Sequence, residues 1–113
     1  MKKKQRKANI DIRISLNENN VPEQIYWKAT DNKDTQSHAQ AFLLSFWDSD
    51  SKNSFNIDLW TKDMTMEEMK FFVFQNLLKM SNIIERSTGD ENLTKTMKDF
   101  SKKFGKIANL IKN

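Results

Sequence analysis

The sequence contains no cysteine, one histidine, one proline and only two glycines among its 113 residues. Without cysteine the chain can form neither a disulfide nor a thiolate metal site, and His38 alone cannot supply the paired histidine ligands of most zinc sites. Neither Gly89 nor Gly105 begins a glycine-rich loop that could bind a phosphate. We therefore expect no metal, no cofactor and no nucleotide-dependent catalysis.

Long hydrophobic runs are also missing. No segment approaches the ~20 apolar residues that cross a bilayer, and the basic residues 1–7 are not followed by the apolar stretch of a signal peptide. The sequence therefore predicts a cytoplasmic protein without stable membrane insertion. Its length and aromatic content predict a basic flexible tail over residues 1–8 and a single domain over residues 9–113.

Arginine is scarce, with three residues among the 19 basic ones, and the net charge of +4 comes from the two ends of the chain. Arginine makes the planar, bidentate contacts that recognise base edges, so base-specific nucleic-acid binding is not expected. The charge does favour one alternative function, weak and sequence-independent nucleic-acid binding. Its predicted surface comprises Lys2, Lys3, Lys4, Arg6, Lys7, Lys95, Lys98, Lys102 and Lys106.

Apolar and polar residues alternate over residues 10–16, which predicts a β-strand with one face on a core. A second alternation over residues 25–29 follows a group of turn-forming residues. The two segments form a predicted hairpin with Leu16 opposite Ile25. A polar segment comes next, with room for a helical turn near residues 35–39.

A second hairpin is predicted from the alternations over residues 42–47 and 55–59. The apolar residues of the first segment also fit helical spacing, but their aromatic content and the polar turn that follows favour a strand. Pairing Phe46 with Phe55 across a four-residue loop places the apolar residues of both strands on one face.

Two helices are predicted in the second half of the chain. The sequence TMEE at residues 65–68 is a capping box that begins the first, and Gly89 ends it. Its apolar residues occupy two sides, and the second side holds Phe71, Phe74 and Leu78. The second helix begins near Leu93 and has a narrow apolar seam at Leu93, Met97, Phe100, Phe104, Ile107 and Ile111. The predicted fold is α+β, two β-hairpins forming a four-stranded antiparallel sheet followed by two C-terminal α-helices.

Aromatic residues also fall on the face of the predicted sheet opposite the core. The predicted registers place Tyr26, Leu43, Trp47 and Trp60 there among polar neighbours. An exposed aromatic patch of this kind marks the binding of a protein partner or of a second copy of the chain. An alternative is that a helix or loop covers this face within the monomer.

Catalysis has little support in the sequence. The carboxylates of Asp58, Asp63, Glu67 and Glu68 lie close together, but Glu68 belongs to the capping box and Glu67 suits the positive end of a helix dipole. Serine residues lack a credible histidine partner, because His38 lies in a polar segment. We therefore expect a protein that is not an enzyme.

Four sequence blocks resemble the GldC gliding-motility family of Bacteroidetes. They read ENNVPE at residues 18–23, LSFWD at 44–48, DLWTKDMTMEEMK at 58–70, and DE at 90–91 followed by TMKDF at 96–100. The family has a histidine before the glutamine of the first helix, where this chain has Phe74, so no role of that polar group carries over.

The resemblance implies a small non-enzymatic protein that supports gliding motility and works beside components of the motility or secretion machinery. The resemblance supplies no mechanism, and we predict an adaptor or chaperone-like protein. The strand registers give Tyr26, Leu43, Trp47 and Trp60 as the predicted partner-binding residues. The resemblance names neither the partner nor the oligomeric state.

Overall fold

The computed structural model describes residues 5–30 and 37–112, which form five β-strands followed by two α-helices. The elements are β1 (Ile10–Leu16), β2 (Pro22–Ala29), β3 (Ser37–Ala39), β4 (Ala41–Asp48), β5 (Asn53–Trp60), α1 (Met66–Thr88) and α2 (Glu91–Ile107). The predicted α+β class is confirmed. The single four-stranded sheet is wrong, because the strands form two antiparallel sheets, β1–β2–β3 and β4–β5.

The first predicted hairpin forms, but its register differs by two residues from the predicted one. Ile14, rather than Leu16, lies opposite Ile25. The side chain of Asn17 accepts two backbone hydrogen bonds within the connecting turn, and a bulge follows Ser15. This turn and bulge set the pairing, and a shift of two residues keeps every side chain on its predicted face.

Strand β3 was not predicted by the sequence pattern. Its three residues pair with β2, with Ala39 opposite Ile25, so the helical turn predicted near residues 35–39 is wrong for residues 37–39. Residues 31–36 lie outside the described part of the chain. Three residues are too few to show an alternation, so pairing with β2 rather than the local sequence defines this strand.

Strands β4 and β5 pair in the predicted register, with Phe46 opposite Phe55, and the helical alternative for this segment is wrong. Four residues connect the strands. The Asp48 carboxylate accepts a 2.9 Å hydrogen bond from the backbone N–H of Ser51, and Lys52 completes the turn with a φ of 58°. The length and conformation of this turn fix the register of the hairpin.

The chain divides into two compact units, Met1–Met64 with the strands and Thr65–Asn113 with the helices. The tail over residues 1–8 and the single domain over residues 9–113 stay predictions. Among the described residues of the first unit, Ile25 is the only apolar side chain that is fully buried, at 1% exposure. Ile25 forms part of the wall of an open groove of about 210 Å³, whose lining also includes Ile12, Trp27 and Phe42.

The predicted capping box of α1 is confirmed. The Thr65 hydroxyl accepts a 3.1 Å hydrogen bond from the Glu68 N–H, and the Glu68 carboxylate accepts one of 3.0 Å from the Thr65 N–H. Gly89 ends the helix with a φ of 67°. Asp90 then caps α2 by accepting a 3.0 Å hydrogen bond from the N–H of Leu93.

Small residues dominate the buried positions of α1 and α2. Apart from Phe74, which is 7% exposed, the buried positions are Ser81, Thr94, Ser101 and Gly105. A Cβ atom on Gly105 would lie only 2.7 Å from the ring of Phe74. The helices therefore approach closely at a position where glycine leaves room for an aromatic ring.

The predicted apolar seam of α2 is not the buried face of this helix. Leu93, Phe100 and Ile107 are exposed, whereas Thr94 and Ser101, which directly follow Leu93 and Phe100, are buried. Ile111 lies beyond the end of α2, and its side chain is close to Gly105. Met97 and Phe104 are half-buried, so the predicted seam is buried only in part, and small residues form the closely packed face.

Candidate functional site

The candidate surface belongs to the β4–β5 hairpin, whose side chains alternate between two faces. We call the face that carries Leu43, Trp47 and Trp60 the outer face. The opposite face, here the inner face, carries Phe42, Leu44, Phe46, Phe55, Ile57 and Leu59. The observed register assigns every one of these residues to the face that the sequence predicted.

The three large residues of the outer face form two groups. Trp60 and Leu43 are diagonal neighbours across the two strands, within side-chain reach of each other. Trp47 lies four residues further along β4, about 13 Å from Leu43 in an extended strand. The polar pair Ser45 and Asn56 lies between them. The outer face is thus a polar strip with an aromatic residue at each end.

All three residues are exposed in the described structure, and Trp47 is the most exposed at 67%. An indole has a large apolar surface, and burying it against a partner releases water from that surface. Exposed groups of large apolar residues are typical of protein-interaction sites. The geometry of the outer face therefore suits contact with another protein.

Half of the large residues of the inner face are exposed to a similar degree. Phe46 and Phe55, which lie opposite each other, are 56% and 57% exposed, and Ile57 is also exposed. The alternation of apolar residues predicts these side chains in the core, and this prediction is wrong for Phe46, Phe55 and Ile57. A signal was present in the sequence, since Leu43 and Trp47 show that β4 is apolar on both faces.

Tyr26 lies in the other sheet, on β2, and is not brought onto the β4–β5 hairpin. Its neighbours on the same face are Arg13 and His38. The His38 ring meets the Tyr26 ring edge-on at 4.5 Å between centroids, and the Tyr26 hydroxyl donates a hydrogen bond to Gln24. Tyr26 is therefore part of a polar face, separate in the sheet topology from the other three predicted residues.

The predicted basic surface is only partly described. Lys2, Lys3 and Lys4 lie outside the described residues, and Arg6, Lys7, Lys102 and Lys106 are exposed. Lys95 pairs with Asp99 at 2.7 Å along α2, and Lys98 pairs with Glu85 of α1 at 3.6 Å. Two of the four helix lysines thus have carboxylate partners. Weak nucleic-acid binding stays a prediction.

Two carboxylates titrate below their ordinary range. Hydrogen bonds from the side chain and then the backbone of Ser51 lower the pKa of Asp48, and the hydrogen bond from Lys95 lowers the pKa of Asp99. Each shift has a local structural cause, a turn or an ion pair. Across residues 5–30 and 37–112, no group of three His, Asp or Glu side chains could hold a metal ion.

The helical unit exposes further apolar residues, which their spacing along the helices predicts to lie on packed faces. Leu93, Phe100 and Ile107 lie at seven-residue intervals on α2, and Met80 and Ile83 of α1 are also exposed. Their spacing was visible in the sequence. Their exposure was not, because the pattern of apolar residues does not show that smaller neighbours form the buried face.

Together these observations define a small α+β protein whose most prominent surface feature is a β-hairpin with exposed aromatic residues. The chain belongs to the GldC-like family, described as gliding motility-associated protein GldC-like, whose match covers residues 22–110. The family resemblance predicted from the sequence is confirmed, and it associates the chain with gliding motility.

Two further comparisons, one with curated proteins and one with solved structures, find no match. In the part of the chain that the structure describes, neither helix is long and apolar enough to cross a membrane.

Proposed function

We propose that this chain is a non-enzymatic, cytoplasmic interaction protein of the gliding-motility machinery, acting as an adaptor or chaperone-like module. Its binding surface is the outer face of the β4–β5 hairpin, with Leu43, Trp47 and Trp60 as the contact residues. The family membership supports the motility association. The partner is a protein with an apolar surface that can cover two tryptophans.

The observation that carries this proposal is the exposure of Trp47 and Trp60 on one face of a regular hairpin. Tryptophan is enriched among the few interface residues that contribute most of the binding free energy. The hairpin holds both indoles on a hydrogen-bonded scaffold, so little ordering is needed when a partner binds. The polar pair Ser45 and Asn56 between them can supply directional hydrogen bonds.

The non-enzymatic part of the proposal rests on the surroundings of the reactive side chains. His38 packs edge-on against Tyr26, Glu68 is held in the capping box of α1, and Asp48 is held in the β4–β5 turn. Each has a structural partner that explains its position. None of these side chains therefore needs a catalytic role to account for its contacts.

The test is a complementation experiment in a gliding bacterium that lacks the native protein. The Trp47→Ala/Trp60→Ala double variant should fold, as judged by circular dichroism, yet fail to restore gliding and fail to retain the partner captured by the wild type. The matched control is Phe46→Ala/Phe55→Ala, which removes two aromatic rings from the inner face of the same hairpin and should still retain the partner.

Full gliding and partner retention by the outer-face variant would contradict the proposal. Equal loss of the partner in both double variants would also contradict it, because the binding site would then not be confined to the outer face.

A further inference from the structure

The β4–β5 sheet has an unpaired backbone edge along β5. Because the Thr61 N–H donates to the Gln40 carbonyl at 2.8 Å, residues 61 and 40 form a hydrogen-bonded pair. Pairs alternate along an antiparallel ladder, so every second residue of β5 turns its N–H and C=O away from β4. These outward residues are Ser54, Asn56, Asp58 and Trp60, and no strand pairs with them among the described residues.

Between Ser54 and Trp60 this edge lacks most of the features that normally prevent strand addition, and beyond it the Lys62 N–H donates to the Pro22 carbonyl at 3.2 Å. Natural edge strands are protected by proline, lysine, bulges or short length. β5 has eight residues, no proline, glycine or lysine, one charged residue, Asp58, and a regular register. β1, the edge of the other sheet, is different, because it carries Asp11 and Arg13 and has a bulge after Ser15.

We propose that β5 pairs with β5 of a second copy of this chain, antiparallel and with the two-fold axis at Asn56. The β4–β5 hairpins of two copies then form one four-stranded sheet. A two-stranded sheet is marginal in water, and three or more strands are normally needed for stability. This inference concerns the edge of the hairpin, and it does not depend on the protein partner of the outer face.

The sequence of β5 is complementary to itself in this register. On the outer face, Asn56 lies opposite its own copy, so the two side-chain amides can each donate and accept a hydrogen bond. Asp58 lies opposite Ser54 of the second copy, a carboxylate opposite a hydroxyl donor. On the inner face, Phe55 lies opposite Ile57 of the second copy, twice by symmetry, and such cross-strand apolar pairs stabilise sheets.

The identity of the occupant follows from this complementarity. A two-fold axis at Asp58 would place the Asp58 carboxylates of the two copies opposite each other, which is unfavourable. The axis at Asn56 places no two carboxylates opposite each other. Phe55, an exposed phenyl ring of the inner face, would gain Ile57 of the second copy as a cross-strand neighbour. A second copy therefore satisfies the backbone edge and covers apolar surface at the same time.

The first test uses Asn56→Asp, which places two carboxylates on the axis, with Asn56→Ser as the control of similar exposure and no charge. In sedimentation velocity over a concentration series, the wild type should associate to dimers, and the control, which loses only the amide pair, should do so at concentrations close to those of the wild type. The charged variant should dissociate at about tenfold higher concentration because of like-charge repulsion. Added salt should restore part of its association, which a merely misfolded variant would not show.

The second test measures amide hydrogen exchange of the wild type in concentrated and dilute solution. The amides of Asn56 and Asp58 should exchange more slowly in the concentrated sample, while those of Phe55 and Ile57, which bond to β4, should not change.

Three results would overturn the proposal. One is a monomer at every concentration, and another is protection of the Asn56 amide in a sample diluted until sedimentation shows only monomer. The third is concentration-dependent protection of the outward amides of β4, at Leu43 and Ser45, in place of those of β5. If the chain is monomeric alone and its β5 edge becomes protected only when another protein is added, the edge binds a different partner and the self-pairing is wrong.

Discussion

Two hairpins of the molecule, the helical hairpin of α1 and α2 and the β4–β5 hairpin, are closed in similar ways but packed differently. In the helical hairpin, Gly89 and Asp90 form the junction, and Phe74 is buried close to Gly105. In the β4–β5 hairpin, Asp48 and the turn that follows close the strands, yet no side chain from Ala41 to Trp60 that lies in a strand is fully buried. The helical hairpin has a buried contact between its two helices, whereas the β4–β5 hairpin has exposed apolar residues on both of its faces.

This difference separates the sources of stability in the two hairpins. The helical hairpin depends on side-chain volume, since its helices meet where a small residue faces an aromatic ring. The β4–β5 hairpin depends on its backbone ladder and its turn. Its exposed apolar side chains, such as Trp47, Phe46 and Phe55, contribute little to the packing of the unit in which they lie, so they are available for contacts with other molecules.

The largest expected effect is the difference in stability between two variants, each of which loses a phenyl ring from one of the hairpins. Phe74→Ala empties a buried site and should lower the free energy of unfolding by about 3–5 kcal/mol. Phe55→Ala removes an exposed ring and should change it by about 0.5 kcal/mol or less. Urea unfolding followed by circular dichroism measures both in dilute protein. Equal losses would mean that the β4–β5 hairpin is packed as tightly as the helices.

Overpacking the contact between Gly105 and Phe74 should have the next largest effect. Gly105→Val puts a branched side chain where even a methyl group would lie 2.7 Å from Phe74, and it should destabilise the chain by about 1–3 kcal/mol. Lys102→Val, on an exposed position of the same helix, is the control and should change stability by less. Combining Gly105→Val with Phe74→Ala should cost less than the sum of the two single losses, because the smaller side chain makes room. A sum that is fully additive would show that the two positions do not interact.

The two hairpins also differ in how far the sequence predicts them. The β4–β5 register follows from a period-two pattern and a turn of fixed length, and both are local features of the sequence. The β1–β2 register is two residues off, because the hydrogen bonds of Asn17 and the bulge at Ser15 involve backbone conformations that the apolar pattern does not encode. The same pattern does not predict β3, because its three residues form a strand only by pairing with β2.

In the helical hairpin, the capping box and the Gly89 terminus were predictable because single residues with specific hydrogen-bonding or conformational properties define them. The buried face was not. Thr94, Ser101 and Gly105 share one face of α2, but they are not apolar enough to stand out in a periodicity analysis. The predicted partner-binding residues Leu43, Trp47 and Trp60 could be placed on one face from the register alone, whereas placing Tyr26 required knowledge of which strands share a sheet.

The helical junction provides a smaller and more local test. Asp90→Ala removes the carboxylate that accepts the Leu93 N–H and should lower the free energy of unfolding by about 1 kcal/mol. Asp90→Ser retains a capping oxygen and should keep most of the stability. If Asp90→Ala and Asp90→Ser are equally destabilised, the negative charge near the helix N-terminus rather than the hydrogen bond is the important feature.

The smallest effect concerns the turn of the β4–β5 hairpin and appears as a dependence on pH. The Ser51 side chain and backbone lower the pKa of the Asp48 carboxyl, so folding favours the ionised form. The resulting stabilisation is fully present above the ordinary pKa of aspartate and is lost as the pH falls through the lower folded value. An NMR titration of the Asp48 carboxyl carbon should show this lowered pKa.

Ser51→Ala removes the hydroxyl but keeps the backbone N–H, so it should raise the pKa of Asp48 only part of the way to its ordinary value. Asp48→Asn keeps an acceptor oxygen without a titratable proton and should leave the amide of Ser51 protected from exchange at every pH. If the pKa of Asp48 is the same in the wild type and in Ser51→Ala, the hydroxyl does not stabilise the ionised form. The backbone N–H of Ser51 would then be the group that holds the turn closed, and with it the register that places Trp47 and Trp60 on one face.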